Sequence, residues 1–429
     1  GLGYTLRSNT NDRISEKAMK LKRLLTISTA LILFTSISAN ATSFEDYVQR
    51  LSEHPQVGSI LAESEASKAQ AQGALGLPDP MFMLGVDNVP ISDPAFDRFL
   101  PTSKVIGFSQ AIPNPALRGA QSEKLEEMSE KQKLMADYTQ ARLRFMLISK
   151  LAEYESVKAQ QKLIKTQLGH YRALEETFTG QIESGRSVYQ RFSEVDVERA
   201  EAERKLNDLE AQHATIEAEF IRLIGEVPNI SMPELGETSW DKNPNALYAV
   251  QIAAEDIDIA KKDVGIADAG FLPNFGVNAV YKQREDSENG MFAGDDWFSV
   301  QAQVSIPLWA SSNQKPKLKA AKDRQRSAIF AYDDVSRIWV KQMAAIESFR
   351  DAAGKNVKVL KDKDSAMKRK IEAVQRNYEA GTEDLDRVLL AKIDRLNIQA
   401  QLAQVKAAHA FKTAEFNSNI SRALKETEE

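Results

Sequence analysis

The chain contains no cysteine. That absence excludes disulfides, thiolate metal sites, a cysteine nucleophile and an N-terminal cysteine bearing a lipid anchor. Histidine is scarce, with 4 residues in 429. No H-E-x-x-H, G-x-S-x-G or Walker loop occurs, so no nucleophile–base constellation is visible and an enzyme reading has little to support it. Long apolar runs are missing too. Beyond residue 41 nothing approaches the ~20 apolar residues a spanning helix needs. Proline is absent from Ala116 to Glu183, where only Gly119, Gly169 and Gly180 interrupt a run of good helix formers.

The apolar run that does occur, from Leu24 to Ile37, follows Met19, Lys20, Lys22 and Arg23 and precedes Ala39-Asn40-Ala41. A basic segment, an apolar segment and an A-x-A site together read as a secretory signal peptide. A membrane anchor is the alternative, but the run is short for one. Residues 1–18 are then an upstream extension, 19–41 the signal, and Thr42 the expected start of the mature chain. Cleavage takes the charge from −5 to 50 − 59 = −9, an acidic balance that argues against a nucleic-acid partner.

What is present is a duplication. At a shift of 196, Glu183-Ser184-Gly185 matches Glu379-Ala380-Gly381, Arg199 matches Arg395, His213 matches His409, and Glu219-Phe220 matches Glu415-Phe416. Upstream, Ser109–Pro113 answers Gln303–Pro307 at a shift of 194. The period is too long for a solenoid. The expected organisation is a first repeat over 42–228, a linker over 229–244 and a second repeat over 245–429.

Each repeat holds a long helical hairpin. A continuous helix from Ala116 to Glu183 would be about 100 Å long, a rod and not part of a compact core. Gly185 is placed to end it, as a glycine just past a helix C-terminus does. A return helix then runs to about Ile224 with Leu206, Leu209, Ile216, Phe220 and Leu223 at coiled-coil spacing. The second hairpin runs from about Ala310 to Glu379, turns at Gly381 and returns to about Leu424. Before each hairpin the periodicity changes to two. Strands are expected at 81–89, 105–112, 275–282 and 297–306. In the last, Phe298, Val300, Ala302, Val304 and Ile306 share one side, and Ser299, Gln301, Gln303 and Ser305 the other. Such strands fit a transmembrane β-barrel or a soluble sheet with one buried face. The signal peptide, and the lack of any other segment to cover the sheet, favour the membrane. Four strands cannot close a barrel, and open edges are not tolerated in lipid. Further copies must finish it, with eight, twelve or sixteen strands all open.

This order of elements, used twice, resembles the TolC-type outer-membrane efflux channels over the whole mature chain. Asn377-Tyr378-Glu379-Ala380-Gly381 with Val388-Leu389-Leu390-Ala391 is similar to the family's periplasmic tip turn. Leu77-Pro78-Asp79-Pro80, Gly85–Pro90, Gly107-Phe108-Ser109-Gln110 and Pro113 resemble the heavy-metal cation branch. The resemblance implies an α+β membrane protein of the Gram-negative outer membrane. It implies a homotrimer with a twelve-stranded barrel in outer-membrane lipid and a periplasmic helical tunnel. It further implies a passive exit duct for heavy-metal cations, a periplasmic adaptor docked at the tips near Gly185 and Gly381, an inner-membrane transporter of RND type, and no cofactor. Drug or polypeptide export is the alternative cargo. A periplasmic adaptor is the alternative class, for which a single hairpin within a small β-domain is expected. The chain departs from many relatives in lacking the acylated cysteine. Arg387 stands six residues past Gly381, where relatives often place an acidic entrance residue.

The tips also supply a candidate gate. Arg186 and Arg191 flank the first turn; Glu383, Asp384 and Asp386, with Arg387 adjacent, flank the second. Ion pairs between neighbouring hairpins, Arg191 against Glu383 among them, would hold the ring closed, each exposed pair worth ~0–1 kcal/mol. Solvated tip residues or adaptor contacts are the plainer reading. His213 and His409 are expected to pack between helices and not to bind metal, since neither has a second histidine at i+4. Met81 and Met83 have strand spacing and are expected to be barrel-wall residues.

Overall fold

The computed structural model describes residues 42–421. The signal peptide and upstream extension lie outside the described residues. The elements are α1 (Phe44–Ser52), α2 (Pro55–Ala74), β1 (Met81–Asp87), β2 (Ser103–Ile112), α3 (Pro115–Glu183), α4 (Tyr189–Ile224), α5 (Tyr248–Ala269), β3 (Phe275–Gln283), β4 (Trp297–Val304), α6 (Gln314–Glu379) and α7 (Leu385–Asn419). A 3₁₀ turn at Pro244–Ala246 precedes α5.

The long helices α3 and α6 have 69 and 66 residues. Asn114 starts α3: its Oδ1 accepts from the Leu117 amide at 2.6 Å, and Pro115 needs no amide partner at the first position. Near the sheet the helices lie side by side in the order α2, α3, α5, α6; toward the tips the order is α4, α3, α7, α6. The main core joins α1, α3 and α4 through Leu51, Leu147, Leu174, Phe178, Ile216 and Phe220, and Leu389 and Ile393 of α7 reach it. A smaller core of Leu247, Val250, Met343, Phe416 and Ile420 closes the second repeat.

The four strands form one antiparallel sheet in the order β1-β2-β3-β4, with β1 and β4 as open edges. Register places Phe82, Phe108, Ala279 and Val300 in one row and Leu84, Ile106, Tyr281 and Phe298 in another. Residues directly opposite share a face, so these rows build one apolar face. Intervening rows carry Met83, Gly107, Val280 and Ser299, then Met81, Ser109, Asn278 and Gln301, on the other face. The apolar face is uncovered: Leu84 is 80% and Phe298 70% exposed. The opposite face is the more polar one: Asn278, Ser299, Gln301 and the Lys282–Asp87 ion pair share it with Met81, Met83 and Val280.

Several boundaries differ from expectation; β2 begins two residues early at Ser103, β3 runs one residue further to Gln283, and α6 starts at Gln314 and not near Ala310. β1 stops at Asp87 because Asn88 takes φ 54° and binds across the loop to Pro101 and Thr102. β4 stops at Val304, where the Ser305 amide turns to the Asn274 carbonyl. α7 stops at Asn419, since Ile420 is extended and bridges Leu247. The first repeat also opens with two helices, α1 and α2, where the second has α5 alone.

Candidate functional site

The hairpin tips gather most of the charged residues singled out by sequence. Each long helix ends in the same way. Gly185 has φ 87° and Gly381 φ 72°, a conformation that only glycine adopts without a Cβ penalty. The Arg186 amide returns to the Gln181 carbonyl and the Gly185 amide to Ile182, both at 2.9 Å. Likewise the Thr382 amide reaches Asn377 and the Gly381 amide Tyr378, both at 2.9 Å. These are paired Schellman closures, which satisfy the last helical carbonyls and reverse the chain.

Two ion pairs join the hairpins. Arg186 Nη1 lies 3.4 Å from Asp384 Oδ1, both exposed. Arg191 of α4 pairs with Asp386 of α7, whose side chain is completely buried. The Arg191 guanidinium also sits 5.0 Å from the ring centroid of Phe178, so it is held between an aromatic face and a carboxylate. Asp386 is in the first turn of α7, where the helix dipole favours negative charge. Glu383 and Arg387 make no ion pair among the described residues. The partner of Arg191 is therefore Asp386 and not Glu383: α7 begins at Leu385, which turns Asp386 inward and leaves Glu383 exposed in the preceding turn.

Above the tips a second pair of arginines, equivalent in the repeats, ties each return helix to its long helix. Arg199 Nε donates to Glu175 at 2.5 Å. Arg395 makes two bonds to Asp364 at 2.9 and 3.1 Å, and that carboxylate raises the Arg395 pKa further above its usual value.

His213 and His409 pack against neighbouring side chains in two different ways. The His213 ring lies 4.8 Å from Tyr154, with Nδ1 3.7 Å from Glu217. His409 faces Glu237 of the linker at 3.5 Å. It also faces Gly354, where a Cβ would stand 3.2 Å from Nε2, which accounts for the glycine in the middle of α6. Among the described residues no group of three or more His, Asp or Glu gathers in a way that could hold a metal ion. Met81 and Met83 sit in β1 on the polar face, and Met83 lies across Gly107. At the loop end of the sheet, buried Arg284 stacks 4.4 Å from Trp297. No described helix is long and apolar enough to cross a membrane.

Sequence reasoning missed how the linker is fastened. The Met232 amide donates to Glu155 at 2.7 Å, and Asn417 Nδ2 to the Gly236 carbonyl at 2.9 Å. Neither contact has a local signal, because both join residues far apart in the chain.

Comparison with known proteins follows the same lines. Residues 248–415 match the family model described as outer membrane efflux protein. A relative from Brucella suis biovar 1 (strain 1330), the outer membrane efflux protein BepC, is 24% identical over 225 residues, 49% of this chain and 49% of that protein. The match thus spans about half the length of the curated relative. The outer membrane protein VceC of Vibrio cholerae superposes with a TM-score of 0.68 at 15% identity, covering 87% of this chain and 95% of that one. CusC, whose structures describe folding and transmembrane channel formation, superposes with a TM-score of 0.70 at 12% identity over 88% and 92%. The described chain therefore has the fold of the outer membrane efflux proteins, and its second repeat matches that family in sequence.

Proposed function

We propose that this protein is the outer-membrane exit duct of a tripartite efflux pump, passive and gated at its hairpin tips. The observation that carries the reading is the sheet: its apolar face is bare in a single chain, its two edges are unpaired, and it is joined directly to rods about 100 Å long. Lipid accounts for the bare face and further copies for the edges. Three copies give a homotrimer with a twelve-stranded barrel, and the hairpins continue the ring as a periplasmic tunnel. The polar face then lines the lumen. Two hairpins and a whole-chain duplication favour a channel over a periplasmic adaptor.

In the resting state Arg191–Asp386 and Arg186–Asp384 lock neighbouring tips, with Glu383 and Arg387 on the outer surface of the same ring. A periplasmic adaptor docks around Gly185 and Gly381, and an inner-membrane transporter of RND type supplies the energy. The cargo we assign is a heavy-metal cation, supported by the short motifs at Leu77–Pro80, Gly85–Pro90 and Gly107–Gln110. Deleting the gene tests this. Sensitisation to a transition-metal cation, with unchanged tolerance of hydrophobic drugs, supports the cargo; the reverse pattern assigns drug export. Replacing His213 and His409 together by Gln should leave resistance nearly intact at equal protein level, and its loss would show that they handle metal.

A further inference from the structure

At its loop end the more polar face of the sheet carries positive charge that the chain does not answer. Register puts Asp87, Lys282 and Trp297 on that face, with Ser103 and Arg284 next to each other one step past the Lys104–Gln283 pair. Lys282 pairs with Asp87, which uses the carboxylate on this side. Arg284 is 8% exposed and makes no ion pair among the described residues; its Nε and Nη2 are buried without a hydrogen-bond partner. Ser103 is 1% exposed, and its Oγ is buried and unpartnered in the same way. Buried polar groups are nearly always paired, and burying a lone charge is strongly unfavourable. Three such atoms at one spot mark a place built for a group from outside the chain.

We propose that Arg284 and Ser103 form a binding site for a phosphate group, carried free in solution or on a lipid headgroup. The guanidinium sits 4.4 Å from the ring centroid of Trp297, which holds it by its face and leaves the Nε–Nη2 edge to bind. That edge takes two oxygens of an oxyanion at once. Ser103 Oγ, from the facing strand, is a third donor, which suits phosphate better than a carboxylate with its two oxygens.

The carboxylates of the adjoining loop are engaged elsewhere. Asp296 accepts from the Tyr281 hydroxyl and from the Arg284 amide. Glu285 pairs with Lys104 at 2.8 Å, and Asp286 accepts from the Gly294 amide at 2.7 Å. Asp295 is exposed. Gly294 fixes this arrangement, since a Cβ there would overlap the Glu285 backbone. The first loop is closed at its base by Thr102 Oγ1, which donates to the Asn88 carbonyl at 3.0 Å. Both loops begin beyond this row, so a small anion enters from the loop side when they part. The site stands on these residues and not on the duct reading, so the two fail separately.

The test is thermal unfolding of the purified full chain in detergent, with sodium phosphate titrated against sodium chloride at equal ionic strength. Wild type should gain stability saturably, as a ligand bound only to the folded form requires. Arg284→Met should show no phosphate-dependent gain. Ser103→Ala, which keeps the charge, should bind phosphate about tenfold more weakly, the loss expected for one hydrogen bond to a charged group. A second titration uses dihexanoyl phosphatidic acid below its micelle concentration. A gain with inorganic phosphate assigns the free anion; a gain with the short-chain lipid alone assigns a headgroup. No gain with either, or an equal gain in Arg284→Met, overturns the site. If Arg284→Met fails to fold, Ser103→Ala decides, and unchanged affinity in that variant overturns the site.

Discussion

Single residues decide where the rods end. At Gly185 and Gly381 the backbone turns left-handed while nothing lies within 4 Å of a would-be Cβ, so only the torsion angle selects glycine. Gly381→Ala should therefore cost about 1–2 kcal/mol, the penalty of an L-residue in that conformation. Gly169→Ala, in the middle of α3 and equally unobstructed, should stabilise by about 0.5–1 kcal/mol. Thermal unfolding of the two variants checks the pair: the apparent Tm should move in opposite directions. At the same scale, the tip turns and their charges were legible, because a glycine after a long helix and clustered Arg, Asp and Glu are local patterns. Which arginine meets which carboxylate was not. Burial of Asp386 depends on where α7 starts, and Arg191 is held by stacking on Phe178 from a different helix; neither is encoded near Arg191.

Elements were read from periodicity, and the four strands emerged from alternation of two kinds of side chain. Their ends were misplaced by about two residues, where Asn88 and Ser305 divert the backbone into loop contacts that alternation does not report. Pairing of β2 with β3 likewise has no local signal, since it joins segments from separate repeats. The sheet makes a prediction of its own. Val300 is on the bare apolar face and Ser299 beside it on the polar face. If the apolar face meets lipid, Val300→Arg should cost about 2–4 kcal/mol near the bilayer midplane, and Ser299→Arg far less. Yield of folded protein in the outer-membrane fraction measures the difference. Equal tolerance of both substitutions would mean that the apolar face has some other cover.

For the whole molecule, duplication and the bare sheet edges are what the proposed ring of copies requires, with one chain as a sector. In that reading the arginine–carboxylate pair at the tip gives the ring a way to close. Breaking a buried pair costs roughly 3–5 kcal/mol, toward the low end here because Arg191 is part-exposed. Arg191→Glu removes the attraction and sets two carboxylates together, so the tips should separate. The measurement that bears most directly on a gated duct is conductance of the purified protein in planar bilayers. Wild type should insert with discrete, small, mostly closed steps, Arg191→Glu should conduct more, and Arg191→Glu with Asp386→Arg should return to the closed level. Properly inserted wild-type and Arg191→Glu proteins that both fail to conduct would contradict the duct, and equal conductance in the two would contradict the gate.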